Sequence, residues 1–421
     1  MSVLGWNNGF SLSELDEKIV SSFVSFYAGT SFSKIAPAFK AFCVEKKVFL
    51  TNEKSTFLSK LLELHFESLG PLHEFISDDE IEEIAVTGLN ETFFVFKRKK
   101  GWVETNYAVN SKEYFIHLVN RLASSSGRRL SLKEPRLDFS CSSFRVHASI
   151  WPICVKQIEL TMRRISAEPF SLKQLVDFNT LDSLTAALLS LIASCDLTIM
   201  LAGNTGSGKT TTLNSLFSFV PRKDRVLVVE DSPEVNLPHS HVVKLTSSKE
   251  LNASLSSLVK DGLRMRPDRL VFGEVRSRED VNALFDSLLS GQAKSCFFTF
   301  HAESSNEAIS RLLFHGVSEK ELSAIKLVLI QKRITFLKNG KSEEKRVVTD
   351  LAEIVGCESR SLFSNSKLDL KKVYASNLFS TCCQSYCVSK REFISLLRER
   401  EKKIVAGSED WSEFNEEWRI D

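Results

Sequence analysis

The spacing of apolar positions in the first part of the chain predicts two kinds of structure. Residues 11–70 carry apolar side chains at helical spacing, as in LSELDEKIVSSFVSFYAG and STFLSKLLELHFESLG, with charges on the opposite side. This pattern predicts a helical N-terminal segment over residues 1–70. The strand-like TFFVFKRKKGWVETNYAV, with a turn at KRKKG, then precedes the helix SKEYFIHLVNRLASSSG and the strands SSFRVHASIW and KQIELTMRRI. We therefore predict an α+β domain over residues 71–165.

A different alternation follows the stretch SAEPFSLKQLVDFNT, whose proline and serine predict a linker at 166–175 and the start of a helix. Short apolar strands then alternate with helices, at DLTIMLA, RVLVVED, RLVFGEV and SCFFTFHA. Continuous apolar strands separated by helices are typical of a parallel sheet covered on both faces. We predict an α/β domain over 176–421, ending in two strand-like stretches, KRVVTDLAEIVG and LKKVYA, and the helix REFISLLREREKKIV.

Composition and charge exclude several classes of protein. A net charge of +2 over 421 residues gives no global attraction to nucleic acid, so we expect no direct nucleic-acid binding. The longest apolar run, LTAALLSLIASC, is too short to cross a bilayer, and the N-terminus lacks the pattern of a signal peptide. We expect a cytoplasmic protein with reduced thiols. The CCQSYC cluster lacks the paired spacing of a metal site, which favours buried structural cysteines over metal or redox chemistry.

The stretch GNTGSGKT at 203–210 matches the phosphate-loop pattern G-x-x-x-x-G-K-[ST] in full. It lies between the apolar strand DLTIMLA and a predicted helix, so its glycines can direct successive backbone N–H groups at an anion near the helix N-terminus. Lys209 can reach phosphate oxygens and Thr210 can bind Mg²⁺. The alternative, an idle strand-to-helix turn, does not explain the full pattern. We predict that the following residues bind nucleotide: Gly203, Asn204, Thr205, Gly206, Ser207, Gly208, Lys209, Thr210 and Thr211.

Two acidic groups follow predicted strands, where open parallel sheets place their ligands. VVEDSPEV contains Glu230, Asp231 and Glu234, and RLVFGEVR contains Glu274 after a four-residue apolar strand. Because Gly273 takes the place of the aspartate that usually precedes such a glutamate, either the metal site is weakened or the VVEDSPE group supplies the missing oxygen. We predict that Glu274 and Glu234 orient a water for attack on the nucleotide. The alternative for each is a solvated loop carboxylate.

His301, in FFTFHAES, follows another predicted strand. By itself this histidine is better explained by a satisfied structural role than by catalysis.

The order of these motifs resembles that of the secretion ATPases of type II and type IV systems, which include pilus, archaellum and conjugation-associated motors. GNTGSGKT is similar to their Walker A loop, VVEDSPE to their acidic box, LRMRPDRLVFGEVR to a Walker B that has glycine before glutamate, and SCFFTFHAES to their histidine box. SGRRLSLKEPRLDFS, SSFRVHASI and ELTMRRI resemble the family's N-terminal domain. The resemblance covers roughly residues 75–356 and is strongest to the archaeal-type members. It implies a RecA-like P-loop ATPase core.

The resemblance also implies roles for individual residues. Lys209 and Thr210 would hold ATP and Mg²⁺, and Glu274 would position water and help to bind the metal. Glu230 and Glu234 would belong to the acidic box, and His301 would sense the γ-phosphate. Arginine suits the closing of such a site because its planar, permanently charged group matches phosphate oxygens. The candidates are Arg145, Arg163 and Arg164 in the N-terminal domain, and Arg264, Arg266 and Arg276 beside the Walker B strand; the alternative for each is a structural ion pair.

The family resemblance implies a hexameric ATPase that drives a pilus-like filament or protein secretion through a polytopic membrane platform protein, with only indirect membrane association. One alternative keeps the fold and moves DNA or protein through a conjugation-type channel. Another is a nucleotide-gated assembly module with little turnover. A small-molecule kinase is the least favoured alternative, since the acidic and histidine boxes would then have no assigned role.

Overall fold

The computed structural model describes residues 6–7, 13–27, 34–66, 69–97, 100–141, 143–165, 169–248, 251–338 and 341–407. The chain divides into two compact units, residues 1–166 and 167–421. Each unit has hydrophobic clusters of its own, and each is described separately. Among the described residues, no helix is both long enough and apolar enough to cross a bilayer.

The first unit joins a group of helices to an antiparallel sheet. The helices α1 to α3 pack through a cluster of buried apolar side chains that includes Phe23, Phe39 and Leu62, as their amphipathic spacing predicts. Among the described residues, seven strands pair in the order β1-β4-β3-β2-β7-β6-β5. The elements are β1 Trp6–Asn7, α1 Glu14–Tyr27, α2 Ile35–Glu45, α3 Asn52–Phe66, α4 His73–Ser77, β2 Ile81–Val86, β3 Thr92–Lys97, β4 Gly101–Val109, α5 Lys112–Leu122, β5 Arg136–Cys141, β6 Phe144–Ile150 and β7 Ile158–Arg164.

The strands of this sheet bury one face and expose the other. In β6, Phe144 and Val146 are buried, whereas Arg145 is exposed and His147 half-buried. This period of two directs the apolar side chains against α5 and the polar ones to the opposite face. As a result, Arg145 and its paired neighbour Arg163 lie on the polar surface of the sheet.

The second unit is built on a largely parallel sheet, as the strand-helix alternation predicts. Within the described part of this unit, eight strands pair in the order β10-β9-β11-β12-β8-β13-β14-β15, and the first six of these run parallel. Its elements are α6 Leu172–Asp177, α7 Ser183–Ser194, β8 Thr198–Ala202, α8 Lys209–Leu216, β9 Val226–Glu230, β10 Val242–Thr246, α9 Leu255–Leu263, β11 Arg269–Val275, α10 Arg278–Leu289, β12 Ser295–Phe300, α11 Ser305–Phe314, α12 Glu319–Leu322, β13 Ile325–Lys338, β14 Lys341–Val355, β15 Glu358–Ser361, β16 Phe363–Ser364, β17 Lys367–Leu368, α13 Leu370–Ala375, α14 Asn377–Ser385 and α15 Lys390–Ala406.

Helices cover both faces of the second sheet. One hydrophobic cluster joins α7, α8 and the C-terminal helices to one face, and another joins α9, α10 and α11 to the other. The central strands are therefore buried on both sides, which explains their continuous apolar sequences. At the end of the sheet opposite the carboxyl edge, Arg269 is fully buried and binds Asp224 (2.7 Å) and Asp196 (2.8 Å).

Two predictions for the second unit need correction. LKKVYA is helical rather than a strand, because Asp369 accepts a hydrogen bond from the Lys371 N–H (2.9 Å) and starts α13, whose Val373 is buried. The predicted linker at 166–175 also overlaps α6. The Ser171–Gln174 capping box begins α6, and Leu172 packs in the core of the second unit.

The cysteines are all free. Cys43, Cys195 and Cys296 are buried, whereas Cys141 and Cys154 are half-buried. In the CCQSYC cluster the prediction of buried structural cysteines is correct for Cys382 and Cys383 but wrong for Cys387, which is exposed. Cys387 follows the end of α14 with a φ of 52°, so its side chain leaves the packed face of the helix.

Candidate nucleotide-binding site

The phosphate loop connects the buried strand β8 to α8, and close approach by a neighbouring strand explains its first glycine. A Cβ atom at Gly203 would lie 1.9 Å from the carbonyl oxygen of Gln331 on β13. Gly208, the N-cap of α8, has a φ of 96°, which favours glycine. The loop can therefore pass tightly under the start of α8, and a loop of this kind at a helix N-terminus is suited to binding an anion. The other predicted loop residues lie between β8 and the first turn of α8: Asn204, Thr205, Gly206, Ser207, Thr210 and Thr211.

Lys209 places a buried cation at this loop. Its Nζ donates hydrogen bonds to the carbonyl oxygens of Gly203 (3.0 Å) and Asn204 (3.1 Å). Burial lowers the pKa of the ammonium group, and the nearby carboxylates of Glu274 and Glu234 oppose that shift. The same interactions show that both carboxylates lie within electrostatic reach of the phosphate loop.

Glu274, His301 and Arg276 form a contacting cluster at the carboxyl edge of the sheet. The Nε2 atom of His301 contacts Glu274 Oε1, and Arg276 donates to Glu274 Oε2 through Nε (2.8 Å) and through Nη2. Arg276 also binds Asp231 (3.3 Å). These residues meet because β9, β11, β12 and β8 are adjacent and parallel, so their carboxyl ends share one edge with the phosphate loop.

The sequence pattern suggested that Glu274 follows the end of its strand. In the structure it lies within β11. The pairing of β11 with β12 is regular up to Phe272, shifts register, and resumes at Val275. A local irregularity of this kind changes where a side chain points. The side chain of Glu274 is consequently available to residues that follow the neighbouring strands.

Glu230 occupies the space next to Gly273, where the usual aspartate of this motif would place its side chain. A Cβ atom at Gly273 would lie 2.6 Å from the Cβ of Glu230. Glu230 is 1% exposed, and its Oε2 accepts hydrogen bonds from the N–H groups of Glu234 and Val235 (both 2.9 Å). Burial raises the pKa of its carboxyl to about 7, although these two N–H groups oppose the shift. The absence of a side chain at Gly273 thus leaves the space that Glu230 fills.

Glu234 is held at the same edge by its backbone. Its N–H binds Glu230, and its carbonyl accepts a hydrogen bond from Asn214 on α8 (3.4 Å). Its side chain is exposed and acts electrostatically on both Lys209 and Arg276. The acidic box therefore contributes one buried carboxyl, Glu230, and an exposed one, Glu234.

The residues present fit a magnesium–nucleotide. The hydroxyl oxygen of Ser207 is buried and has no hydrogen-bond partner among the described residues, and Lys209 supplies a buried positive charge. Across the described ranges, no group of three histidine, cysteine, aspartate or glutamate side chains could hold a metal ion by themselves. Magnesium is usually bound by one or two protein oxygens together with nucleotide phosphates. Thr210, at the start of α8, and Glu274 are oxygen donors of that kind.

The predicted arginines differ in their surroundings. Arg145 on β6 and Arg163 on β7 are paired positions, and both are exposed on the polar face of the first sheet. Arg164 instead donates to the carbonyl oxygens of Ile81 and Ile76 (both 2.8 Å) and lies 4.6 Å from the ring centroid of Phe144. Because its donors are used within the first unit, we leave Arg164 out of the nucleotide site.

Arg264 and Arg266 are exposed at the loop between α9 and β11, so they do not share the surroundings of Arg276.

The sequence patterns missed one wall of the site, which β13 provides. Gln331 is 2% exposed and contacts the phosphate loop, and Arg333 exchanges two hydrogen bonds with Asn204. The apolar alternation of KLVLIQKRITFL is the signal that predicts this strand. No pattern in the chain predicts that its Gln331 reaches the loop more than a hundred residues earlier.

Comparison with known proteins shows which family this site belongs to. The family model described as "Type II/IV secretion system protein" matches residues 126–414. This match covers more than half of the chain and includes the phosphate loop, the acidic box, Glu274 and His301. The chain therefore belongs to the type II/IV secretion system protein family, as its motif order indicated.

Individual relatives match this chain at modest sequence identity. An uncharacterized protein of Methanocaldococcus jannaschii is 36% identical over 234 residues, which is 53% of this chain and 32% of that protein. The type IV secretion system protein VirB11 of Bartonella quintana is 27% identical over 67% of this chain and 91% of its own length. The match spans about a third of the length of the M. jannaschii protein.

Two solved structures align with much of this chain at low sequence identity. The VirB11 ATPase of Brucella suis matches 71% of this chain and 96% of its own, with 22% identity and a TM-score of 0.34. The pilus retraction motor PilT matches 64% of this chain and 79% of its own, with 19% identity and a TM-score of 0.49. Family membership and the sheet order together confirm the predicted RecA-like α/β core.

Proposed function

We propose that this protein binds ATP at the phosphate loop and hydrolyses it to drive a secretion or pilus-type machine. The observation that supports the proposal best is the Glu274–His301–Arg276 cluster at the sheet edge that also carries Lys209. A phosphate loop alone is compatible with simple nucleotide binding. A carboxylate held between a histidine and an arginine beside that loop is suited to positioning a water and responding to the γ-phosphate.

The proposed roles follow from the contacts of each residue. Lys209 and the loop N–H groups bind the β- and γ-phosphates, and Thr210 and Glu274 would hold magnesium. When bound, magnesium would neutralise negative charge on the phosphates. Glu274 orients the attacking water and accepts its proton, and His301 fixes the carboxylate through Oε1. Arg276 holds the other carboxylate oxygen and balances the charge of Asp231.

The acidic box has a different proposed role. Glu230 takes the space of the aspartate that Gly273 replaces and holds the 230–235 turn through two backbone N–H groups. That turn directs Glu234 toward the same edge, where it adds negative charge near Lys209. Glu230 therefore acts by positioning, and Glu234 is the second candidate for a direct role in hydrolysis.

To drive such a machine, the protein must favour different arrangements with ATP bound and after hydrolysis. We propose that Arg145 and Arg163 of the first unit bind phosphate when ATP is present and release it after hydrolysis. Arginine suits this task because its fork matches phosphate oxygens and stays charged. In this proposal the chain forms a hexamer that acts on a polytopic membrane protein, and its association with the membrane is peripheral and indirect.

The test is to measure ATP hydrolysis and molecular mass on the same purified protein. Light scattering is recorded without nucleotide and with magnesium ATP, and phosphate release is followed for the wild type and for Lys209→Ala. We expect an ATP-dependent oligomer with the mass of six chains, and hydrolysis that disappears in Lys209→Ala. A wild-type protein that binds ATP but stays monomeric and releases no phosphate, with and without membranes of its own cell, would contradict the motor.

A further inference from the structure

The strand β13 runs on past the end of the parallel sheet and lies beside the phosphate loop. Its pairing with β8 ends at Ile330, which is opposite Ala202, the last residue of β8. At the same point its pairing with β14 shifts register between Ile330 and Gln331. From Gln331 onward, the side of β13 that faced β8 is therefore free to interact with the loop that follows β8.

Asn204 continues the lost strand pairing with its side chain. Its Oδ1 accepts a hydrogen bond from the Arg333 N–H (3.0 Å), and its Nδ2 donates to the Arg333 carbonyl oxygen (3.2 Å). A carboxamide that makes both bonds imitates one residue of a β-strand. The side chain of the second residue of the phosphate loop thus ties the loop to the main chain of β13.

Gln331 contacts the loop at both of its ends. Its backbone carbonyl lies where a side chain at Gly203 would start, and its Nε2 is 2.9 Å from the position that a Cβ at Gly208 would take. Its Oε1 accepts a hydrogen bond from the hydroxyl of Thr212 on α8 (2.8 Å). One buried residue therefore meets the first glycine of the loop, the last glycine of the loop and the helix that follows.

We propose that Gln331 is a positioning residue for the nucleotide phosphates: it fixes the span between Gly203 and the first turn of α8, and so holds the loop N–H groups in their binding arrangement. The inference rests on the proposed function only in taking this loop as the nucleotide site. A neutral amide suits the position because its Oε1 accepts from Thr212 and its Nε2 lies against Gly208 without adding charge. A carboxylate there would place a negative charge under the bound phosphates.

We expect Gln331 to affect nucleotide binding and not the cleavage of bound ATP. Gln331 touches the loop that receives the phosphates and has no contact with Glu274 or His301 among the interactions of the described residues. Loss of Gln331 should therefore weaken nucleotide affinity and raise KM, with little change in the rate at which bound ATP is cleaved. A residue of the hydrolytic cluster gives the opposite result.

Three variants and one control test this proposal. Gln331→Glu keeps the shape and adds a charge, Gln331→Met keeps the volume and removes both polar atoms, and Thr212→Val removes the same hydrogen bond from the other side. Gln292→Glu, on the exposed connection between α10 and β12, adds the same charge away from the loop. The measurements are the Kd for magnesium ADP by calorimetry, the Tm, and hydrogen–deuterium exchange of residues 203–212 in the nucleotide-free protein.

We expect Gln331→Glu to weaken ADP binding by tenfold or more, and Gln331→Met and Thr212→Val to weaken it by about threefold to tenfold, the effect of one lost hydrogen bond. Exchange should accelerate in residues 203–212 of the Met and Val variants but not in β9 or β12. Gln292→Glu should match the wild type. Hydrolysis assays should show a raised KM and a kcat within about threefold of the wild type.

An unchanged Kd and an unchanged exchange pattern in both Gln331 variants would overturn the proposal, and so would a fall in kcat at constant KM. If the Gln331 variants fail to fold, Thr212→Val decides alone, and wild-type affinity and exchange in that variant would overturn the proposal. A wild-type protein without ATPase activity would refute the proposed motor but leave the ADP-binding and exchange results as valid tests of Gln331.

Discussion

Replacing Glu230 by glutamine should change how the stability of the second unit depends on pH. Glu230 is 1% exposed, and burial raises the pKa of its carboxyl from 4.5 to about 7. In that range the folded protein keeps a proton that the unfolded chain releases. The stability from this proton is therefore fully present below about pH 4.5, falls as the pH rises, and is lost above about pH 7.

The two pKa values set the size of the effect. Their separation of about 2.5 (about 7 minus 4.5) corresponds to about 3 kcal/mol, since one pKa unit is worth about 1.4 kcal/mol. Between pH 5 and pH 8, linkage for a single site gives a fall of about 2–3 kcal/mol in the free energy of unfolding. The glutamine side chain of the variant cannot ionise and still offers an oxygen to the N–H groups of Val235 and Glu234, so this fall should be absent from Glu230→Gln.

The assay is urea unfolding at pH 5, 6, 7 and 8. Unfolding of the second unit is monitored by hydrogen–deuterium exchange of β9. Other groups titrate in both proteins, so the relevant quantity is the difference between the wild type and Glu230→Gln. Glu358→Gln, at an exposed position in β15, is the control and should follow the wild type at every pH. A difference between wild type and Glu230→Gln that stays constant from pH 5 to pH 8 would refute this reasoning.

Three further changes test the packing and charge of the site. Gly273→Ala puts a Cβ 2.6 Å from the Cβ of Glu230, and we expect the unfolding free energy to fall by about 1–3 kcal/mol; an unchanged urea midpoint would contradict the close packing. Asp224→Asn removes a charged partner of the fully buried Arg269, which should cost about 3 kcal/mol in the same assay, and a loss below about 0.5 kcal/mol would show that the ion pair is dispensable. Magnesium ADP at a hundred times its Kd should stabilise the wild type by about 2.7 kcal/mol, and Lys209→Ala should lose that gain; equal stabilisation of both proteins would remove Lys209 from the site.

The sequence predicts those parts of the structure that depend on local pattern. The central strands are recognisable as continuous apolar runs because both of their faces are buried, and the motif order places Glu274, His301 and Lys209 at the ends of strands that turn out to be adjacent. The stretch LKKVYA suggests a strand because it is only six residues long and contains Val373 and Tyr374, which favour strands, yet it forms the helix α13. Asp369, which caps the N-terminus of this helix, lies just outside that stretch.

Contacts between distant segments are the part that the sequence cannot supply. The glycine at 273 stands out as a departure from the usual motif, but only the folded chain shows Glu230 filling the space beside it. In the same way, Gln331 reaches Gly203 and Thr212 across more than a hundred residues because β13 pairs with β8. Arg164 is chosen from sequence as a phosphate ligand, yet carbonyl groups of its own unit take up its donors.

The proposed ATPase activity depends most on Glu274, which would act in hydrolysis beside the phosphate loop. The direct measurement is single-turnover cleavage of bound radiolabelled ATP by the wild type and by Glu274→Gln, with ATP affinity measured on the same samples. We predict that Glu274→Gln keeps a Kd within about threefold of the wild type, while cleavage slows by a factor on the order of a hundred or more, as expected when a general base is lost. Cleavage by Glu274→Gln at the wild-type rate would contradict the account.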